Sequence, residues 1–308
     1  MTCWILFLIC PTYAVPSQVK YCESTMKGFS MRASTSDALR ERVHAAATPR
    51  ELIVTWQHPI ERTIAPVARL SYDGRRYQFC YIRNALRISG FRPFLGFPEL
   101  NVCYSSDTLF PLFAQRAMAP RRPDFTRWVN RLGLPDDASP WEQITRSGGR
   151  RQGDTIQLFP IPTVADGRME CDFLVHGMRH IVDRGTTVGR ETVTVTSAAL
   201  ERQLSTLRAG DELRLCDEPT NPSNPLAILT TTRDNLPLGW VPNLLVEELH
   251  RIPNHQSASV HALAVNGADA GWHLRLLAHL SVPVSEGFQV FAGEQWQRLT
   301  CSHEVSAP

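Results

Sequence analysis

Lysine is almost missing from this chain. Its 308 residues hold two, Lys20 and Lys27, beside 30 arginines. That scarcity removes several chemistries. A P-loop needs Gly-Lys-Ser/Thr, a protein kinase needs a strand lysine, and a pyridoxal enzyme needs a Schiff-base lysine. None can be assembled from residues 28–308. Zinc-finger spacing is also absent: Cys3, Cys10, Cys22, Cys80, Cys103, Cys171, Cys216 and Cys301 lie far apart, with no Cys-x-x-Cys. Neither a metal nor a cofactor is therefore expected. Most of these cysteines sit in apolar runs, which predicts buried free thiols and a reducing, cytoplasmic setting. Long apolar runs are lacking too. Trp4 to Cys10 ends at Pro11, well short of the roughly 20 residues that span a bilayer, so no membrane partner is expected. No basic stretch precedes it as an export signal requires. Residues 1–48 read as a disordered tail, or as a start set too early with Met26 or Met31 as the true one. No Ser/His/Asp or paired-carboxylate set has recognisable spacing, so the reading leans towards a noncatalytic protein, with a site assembled in space left open.

The length allows two ordinary domains with their own cores. Charge is unevenly spread: residues 48–166 carry 16 basic against 11 acidic side chains, and residues 167–308 carry 11 against 16. An acidic C-terminal half argues against broad phosphate binding there, because nonspecific affinity is electrostatic.

Residues 49–166 alternate as a meander of strands: Leu52–Trp56, Val67–Leu70, a turn at Asp73-Gly74, then Tyr77–Tyr81. Phe91 to Leu100 reads as a packed loop. A helix from Leu109 should carry Arg116 and Met118, and a second should run from Asp124 to Leu132 and stop at Gly133. A third begins with Ser139 as N-cap and Pro140 at its first position. It leads into the basic loop Arg146-Ser147-Gly148-Gly149-Arg150-Arg151, and Thr155 to Pro160 closes the unit as a strand. Arg146, Arg150 and Arg151 are candidate phosphate contacts, since guanidinium forks and glycine N–H groups both suit that anion, and Arg121-Arg122 could extend the face. A solvated surface loop is the competing reading.

The most distinctive stretch is Leu207 to Ile252. Gly210 leads into Glu212-Leu213-Arg214-Leu215, a strand with its leucines on one face. Glu218-Pro219-Thr220-Asn221-Pro222-Ser223-Asn224-Pro225 must be a stiff loop whose asparagines bond locally or present amides outward. Leu226–Thr232 and Leu238–Val241 read as strands around a turn at Asp234-Asn235, and a helix follows Pro242-Asn243. Upstream, Cys171 to Val175 is a strand running into a bend at Gly177, and Ser197 to Leu207 is amphipathic. Downstream, Val260–Val265 and His273–Leu280 flank the turn signal Asn266-Gly267. His176 and His180, four apart, would bind metal from one helix face but not from a strand and bend.

Two resemblances follow from these motifs. Gly-Asp-x-Leu-x-Leu, Glu-Pro-x-Asn-Pro with its following Ala-Ile, and Leu-Gly-Trp-Val-Pro resemble a HIRAN domain over residues 170–282. Residues 49–166 are similar in layout to the N-terminal subdomain of HipA-type toxin kinases, without the kinase core. Together they imply an α+β protein of two small domains: an N-terminal β-meander with helices, and a C-terminal β-rich barrel. Residues 283–308, with Phe288, Val290, Phe291 and Trp296, are assigned as a C-terminal tail that either docks onto the barrel as a strand or frays, and its role is left open. The HIRAN resemblance implies binding of single-stranded DNA at 3′ ends. Arg179 and His180 fall where the family has Arg and an aromatic, Asn221 on the loop Asn, and Trp272 on a second stacking position. Asn224 stands where the family usually has Asp, which removes a charge-assisted contact. The leading expectation is a noncatalytic nucleic-acid-binding protein, in a DNA-repair context, with a protein partner such as a kinase or helicase. One alternative is an antitoxin-like regulator of a kinase without DNA binding. Another is a hydrolase of acid anhydrides, by family association alone.

Overall fold

A computed structural model describes residues 50–151, 153–299 and 304–306. The expectations for residues 1–48 lie outside these. The chain is α+β, as expected. It begins with β1 (Glu51–Gln57), β2 (Ile64–Tyr72), β3 (Tyr77–Tyr81) and β4 (Cys103–Ser106), each antiparallel to the one before. Four consecutive β1 residues, Leu52 to Thr55, are buried because both faces of this sheet are covered. Leu52 and Val54 pack beneath the aromatic loop with Phe79, Phe94 and Phe97, while Ile53 faces the second sheet's core.

Three helices follow: α1 (Pro111–Ala114), α2 (Phe125–Arg131) and α3 (Pro140–Ser147). The first is shorter than the sequence suggests, ending before Arg116. The third starts as expected. Ser139 accepts from Glu142 N at 3.3 Å while Glu142 accepts from Ser139 N at 2.7 Å, a reciprocal cap that satisfies two terminal donors. Gly148 ends it at φ 69°, where a side chain would be strained. β5 (Ile156–Pro160) then returns antiparallel to β1.

The second sheet contains β6 (Thr163–Ala165), β7 (Arg168–Leu174), β10 (Glu212–Asp217), β11 (Ile228–Thr232), β12 (Pro237–Trp240), β13 (Ser259–Val265) and β14 (Leu276–Pro283), in the order β12-β11-β10-β13-β14-β7-β6. A small hairpin, β8 (Gly185–Val188) with β9 (Glu191–Thr194), is inserted after β7 and carries no strong sequence signal. Immediately after β7, His176 N donates to Trp240 O at 2.9 Å and Trp240 N to His176 O at 2.8 Å. This bridge joins the end of β7 to β12, so the strand order runs back on itself and the sheet closes as a barrel. Bulges between Thr230 and Thr231 and between Ala262 and Ala264 bend two of its strands. Helices α4 (Met178–Ile181), α5 (Ser197–Thr206) and α6 (Asn243–His250) pack around it through Met178, Ile181, Leu200, Leu204, Leu245 and Leu249.

Two expectations are corrected. Cys80 and Cys103 are not free thiols. They face each other in the β3–β4 register with Cα atoms 4.6 Å apart and form a disulfide; only the closely spaced, non-hydrogen-bonded pairs of an antiparallel ladder come that near. His273 does not open a strand; the strand starts instead at Leu276. The connection runs to Arg275, with a 3-10 turn at Trp272–Leu274 held by Asn266 Nδ2 on Leu274 O. Residues 284–299 pack against the rest of the chain. Phe291 and Trp296 enter the barrel-side core, Arg69 Nε donates to Trp296 O at 3.2 Å, and Leu299 N to Tyr81 O at 2.9 Å. β15 (Glu304–Ser306) then lies parallel to β4.

Candidate functional site

The barrel seam is built around two glycines. A Cβ at Gly239 would lie 2.5 Å from His176 O, and one at Gly177 would lie 2.6 Å from the Trp240 ring. Gly177 also adopts φ +68°, so it is the residue that lets the chain leave β7 and enter α4 against the indole. The indole in turn donates Nε1–H to Glu218 Oε2 at 2.7 Å. The same oxygen accepts Asn221 Nδ2 at 2.6 Å, and Arg184 lies 3.5 Å from Oε1 and 5.3 Å from the Trp240 ring centre. Glu218 is 1% exposed. A buried carboxylate with three donors thus fastens the Asn-Pro loop to the seam. From the sequence Glu218 reads only as part of the loop and Trp240 only as part of the strand Leu238–Val241.

The loop asparagines bond inward. Asn221 Oδ1 accepts from Ser223 N at 3.0 Å and Asn224 N at 3.3 Å. Asn224 Oδ1 accepts from Leu226 N at 2.9 Å, and its Nδ2 reaches Asn243 Oδ1 at 3.3 Å near the surface. These are Asx turns, the local alternative to presenting amides outward.

Arg179 and His180 are both exposed on α4, with Arg179 Nε donating to His180 Nε2 at 3.3 Å. Neither Arg179 nor Arg150 has an ion pair among the described residues. Arg150 stands close to two imidazoles. Burial first, then Arg150 and His273, push His176 down to about 4. Burial and Arg150 likewise lower His273. The 3-10 turn at Trp272–Leu274 contacts α4. Trp272 is half-buried against the barrel core with the Arg275 guanidinium 5.2 Å from its ring centre. Arg150, His176, Arg179, His180, Trp272 and His273 therefore gather near the seam. His176 and His273 were not among the expected contacts; their signal is spatial, since they lie 97 positions apart.

The other two loop arginines go elsewhere. Arg146 belongs to α3 and pairs with Asp172 at 3.1 Å, and Asp172 also meets His279 Nδ1 at 2.7 Å. The guanidinium of this candidate phosphate contact is thus half-buried and paired with a carboxylate. Arg151 donates to Gln115 Oε1 at 3.1 Å. The glycine loop itself is held by Arg116, which donates to Gly149 O at 2.9 Å and pairs with Asp154. Arg121 is exposed, and Arg122 pairs with Asp124 at 3.0 Å.

No family model and no curated protein matches the chain. Among solved structures, a protein from Lactobacillus plantarum aligns at 18% identity over 37% of this chain and 98% of its own, with TM-score 0.26. The HIRAN domain of human HLTF aligns at 15% identity over 40% of this chain and 84% of its own, with TM-score 0.24.

Proposed function

We propose that this chain is a noncatalytic nucleic-acid-binding protein whose barrel seam is the contact surface, and that its ligand is single-stranded DNA engaged near a 3′ end. The observation that carries this reading is the pair Arg150 and Arg179, cations without a carboxylate beside a cluster of imidazoles. Guanidinium forks suit phosphate oxygens, and the imidazoles of His176 and His273, whose protonation burial and Arg150 disfavour, can donate or accept without repelling the arginines. Trp272 supplies a ring edge for a base at the margin of the patch. Asn224 contributes its side-chain amide, whose exposed 3.3 Å contact to Asn243 Oδ1 a ligand hydroxyl can replace. Asn221 shapes the loop from behind and does not touch ligand. The resemblance of the loop and seam motifs to a HIRAN domain implies the same ligand class.

The test is fluorescence anisotropy with short labelled single strands, their 3′ ends free or blocked, at low and moderate salt. The proposal expects binding that is stronger for the free end and weakened by Arg150→Ala and by Arg179→Ala. Equal binding by both ends would remove the end-recognition element, and no binding at low salt would refute the function.

A second reading is favoured by a different observation. Ile60, Ile64, Leu86 and Leu95 are 84%, 49%, 63% and 95% exposed. Ile60 and Ile64 lie on the β1–β2 hairpin, Leu86 in the 3-10 turn Arg83–Arg87 and Leu95 in the loop that follows, and the hairpin meets that loop through Trp56, His58 and Phe91. Apolar side chains concentrated in this way suit a protein partner, such as a kinase encoded elsewhere. Retention of a kinase on purification, lost in Leu95→Asp, would support it.

A further inference from the structure

At the foot of the Asn-Pro loop, three potential metal ligands meet from three elements. Asp217 ends β10, His250 ends α6, and His255 lies in the 3-10 turn His255–Ser257. One donor atom from each falls within 4.8 Å of the other two. His255 Nε2 and Asp217 Oδ1 are 2.8 Å apart, and the two imidazole centres are 4.7 Å apart. Asn254, at φ 56°, turns the chain so that His255 folds back under α6; asparagine tolerates that left-handed conformation better than most residues. The three ligands are spread over 39 positions of sequence, which is why no spacing motif announces them.

We propose that Asp217, His250 and His255 bind one divalent transition-metal ion of the zinc type, with the remaining coordination position open to solvent. Two imidazoles and one carboxylate are a donor set that zinc and its first-row neighbours favour, whereas magnesium and calcium prefer oxygen alone. Donor atoms around a tetrahedral zinc ion stand about 3.3 Å apart, so the cluster needs only a small adjustment to close on the ion. His255 shifts its proton from Nε2 to Nδ1 as Nε2 turns from Asp217 to the metal.

The surrounding contacts fit this role. A backbone carbonyl only accepts, so the 2.9 Å contact between His250 Nε2 and Leu226 O places the ring proton on Nε2. That leaves Nδ1 with its lone pair, the arrangement in which a backbone carbonyl orients a metal-bound imidazole. Gln256 Nε2 similarly donates to Asp217 Oδ2, holding the carboxylate while Oδ1 remains for the ion. His250 is exposed, Asp217 half-buried and His255 buried, so the site opens to solvent on one side. Leu226 and Asp217 bracket the loop, and the bound ion would tie its two ends to α6 and the 3-10 turn.

The full chain, without a histidine tag and stripped of metal, is titrated with Zn2+ and Co2+, with Mg2+ as the control. Expected are one bound Zn2+, a higher melting temperature with Zn2+ but not with Mg2+, and Co2+ absorption without thiolate charge-transfer bands. Because His250 is exposed, His250→Ala should melt normally without metal yet bind at least about tenfold more weakly. Asp217→Asn, which keeps the shape but not the charge, should do the same. Absence of Zn2+ binding, binding unchanged in His250→Ala, or a thiolate-type Co2+ spectrum would each overturn the proposal.

Discussion

Glu218 shows how much one side chain can hold together. Removing it by Glu218→Ala would strand the Trp240 N–H, the Asn221 amide and the Arg184 guanidinium at once. Breaking a buried charged cluster from one side costs about 3–5 kcal/mol, so urea denaturation should show a loss of that order. Glu218→Gln should lose much less. Its carbonyl oxygen can still take the Trp240 and Asn221 bonds, and only the contact to Arg184 changes sign. Equal losses for the two variants would show that the carboxylate's hydrogen bonds do not carry the seam. His176 supplies a pH dependence at the same place. Its imidazole is pushed down to about 4 in the folded chain, below the value of about 6.5 for an unfolded histidine. Between those values the unfolded chain binds the extra proton. The stabilisation is therefore complete above about pH 6.5 and is lost as pH falls towards 4, by up to about 3 kcal/mol, less where water screens the ring's exposed edge. Melting temperatures across that range should fall less steeply in His176→Gln than in the parent chain.

The β3–β4 pair carries the prediction that belongs to elements. The Cys80–Cys103 link spans 23 positions, and closing a loop of that length in the unfolded chain corresponds to about 3 kcal/mol of stability in the chain-entropy model. The double variant Cys80→Ser, Cys103→Ser should lose a comparable amount by chemical denaturation, and a reductant should reproduce the loss in the parent only. The same pair shows where sequence reasoning reaches its limit. Only β3 is legible, with Cys80 in the alternation of Tyr77–Tyr81; β4 is four residues between the aromatic loop and the helix expected from Leu109, and its register against β3 is something alternation cannot set. Local signals were otherwise reliable: the Ser139-Pro140 cap, the stop at Gly133, and the strands on either side of Asn235 all lie where the residues indicate. What escaped were features made by distant segments meeting. The His176–Trp240 bridge and the pairing of Arg146 with Asp172 each join parts of the chain that carry no mutual mark. The candidate site divides the same way. Arg179 and Arg150 are legible as surface cations and His180 as an exposed ring, while Asn221 takes the local one of its two readings and bonds within its own loop.

For the whole molecule, charge and position pull in opposite directions, and that makes the proposed function measurable. The C-terminal half has a net excess of acidic side chains, so its long-range field repels a polyanion. Binding at the seam must then depend on a few arginines close to the phosphates, one of them, Arg150, lent by the basic N-terminal half through the glycine loop that Arg116 and Asp154 hold. A small number of phosphate contacts gives a shallow salt dependence, since each contributes a slope of about 0.7 in log affinity against log salt for a single strand. Anisotropy titrations over several salt concentrations should therefore give a slope of only about 2. Arg150→Ala and Arg179→Ala should each reduce it by roughly one contact. A slope unchanged by both substitutions would place the phosphates on another surface, with exposed Arg121 and its neighbours in the N-terminal half the next to be replaced. Dependence on a free 3′ end should survive these substitutions even as affinity falls. That selectivity would come from the Asn224 amide and the Trp272 edge, which carry no charge for salt to screen.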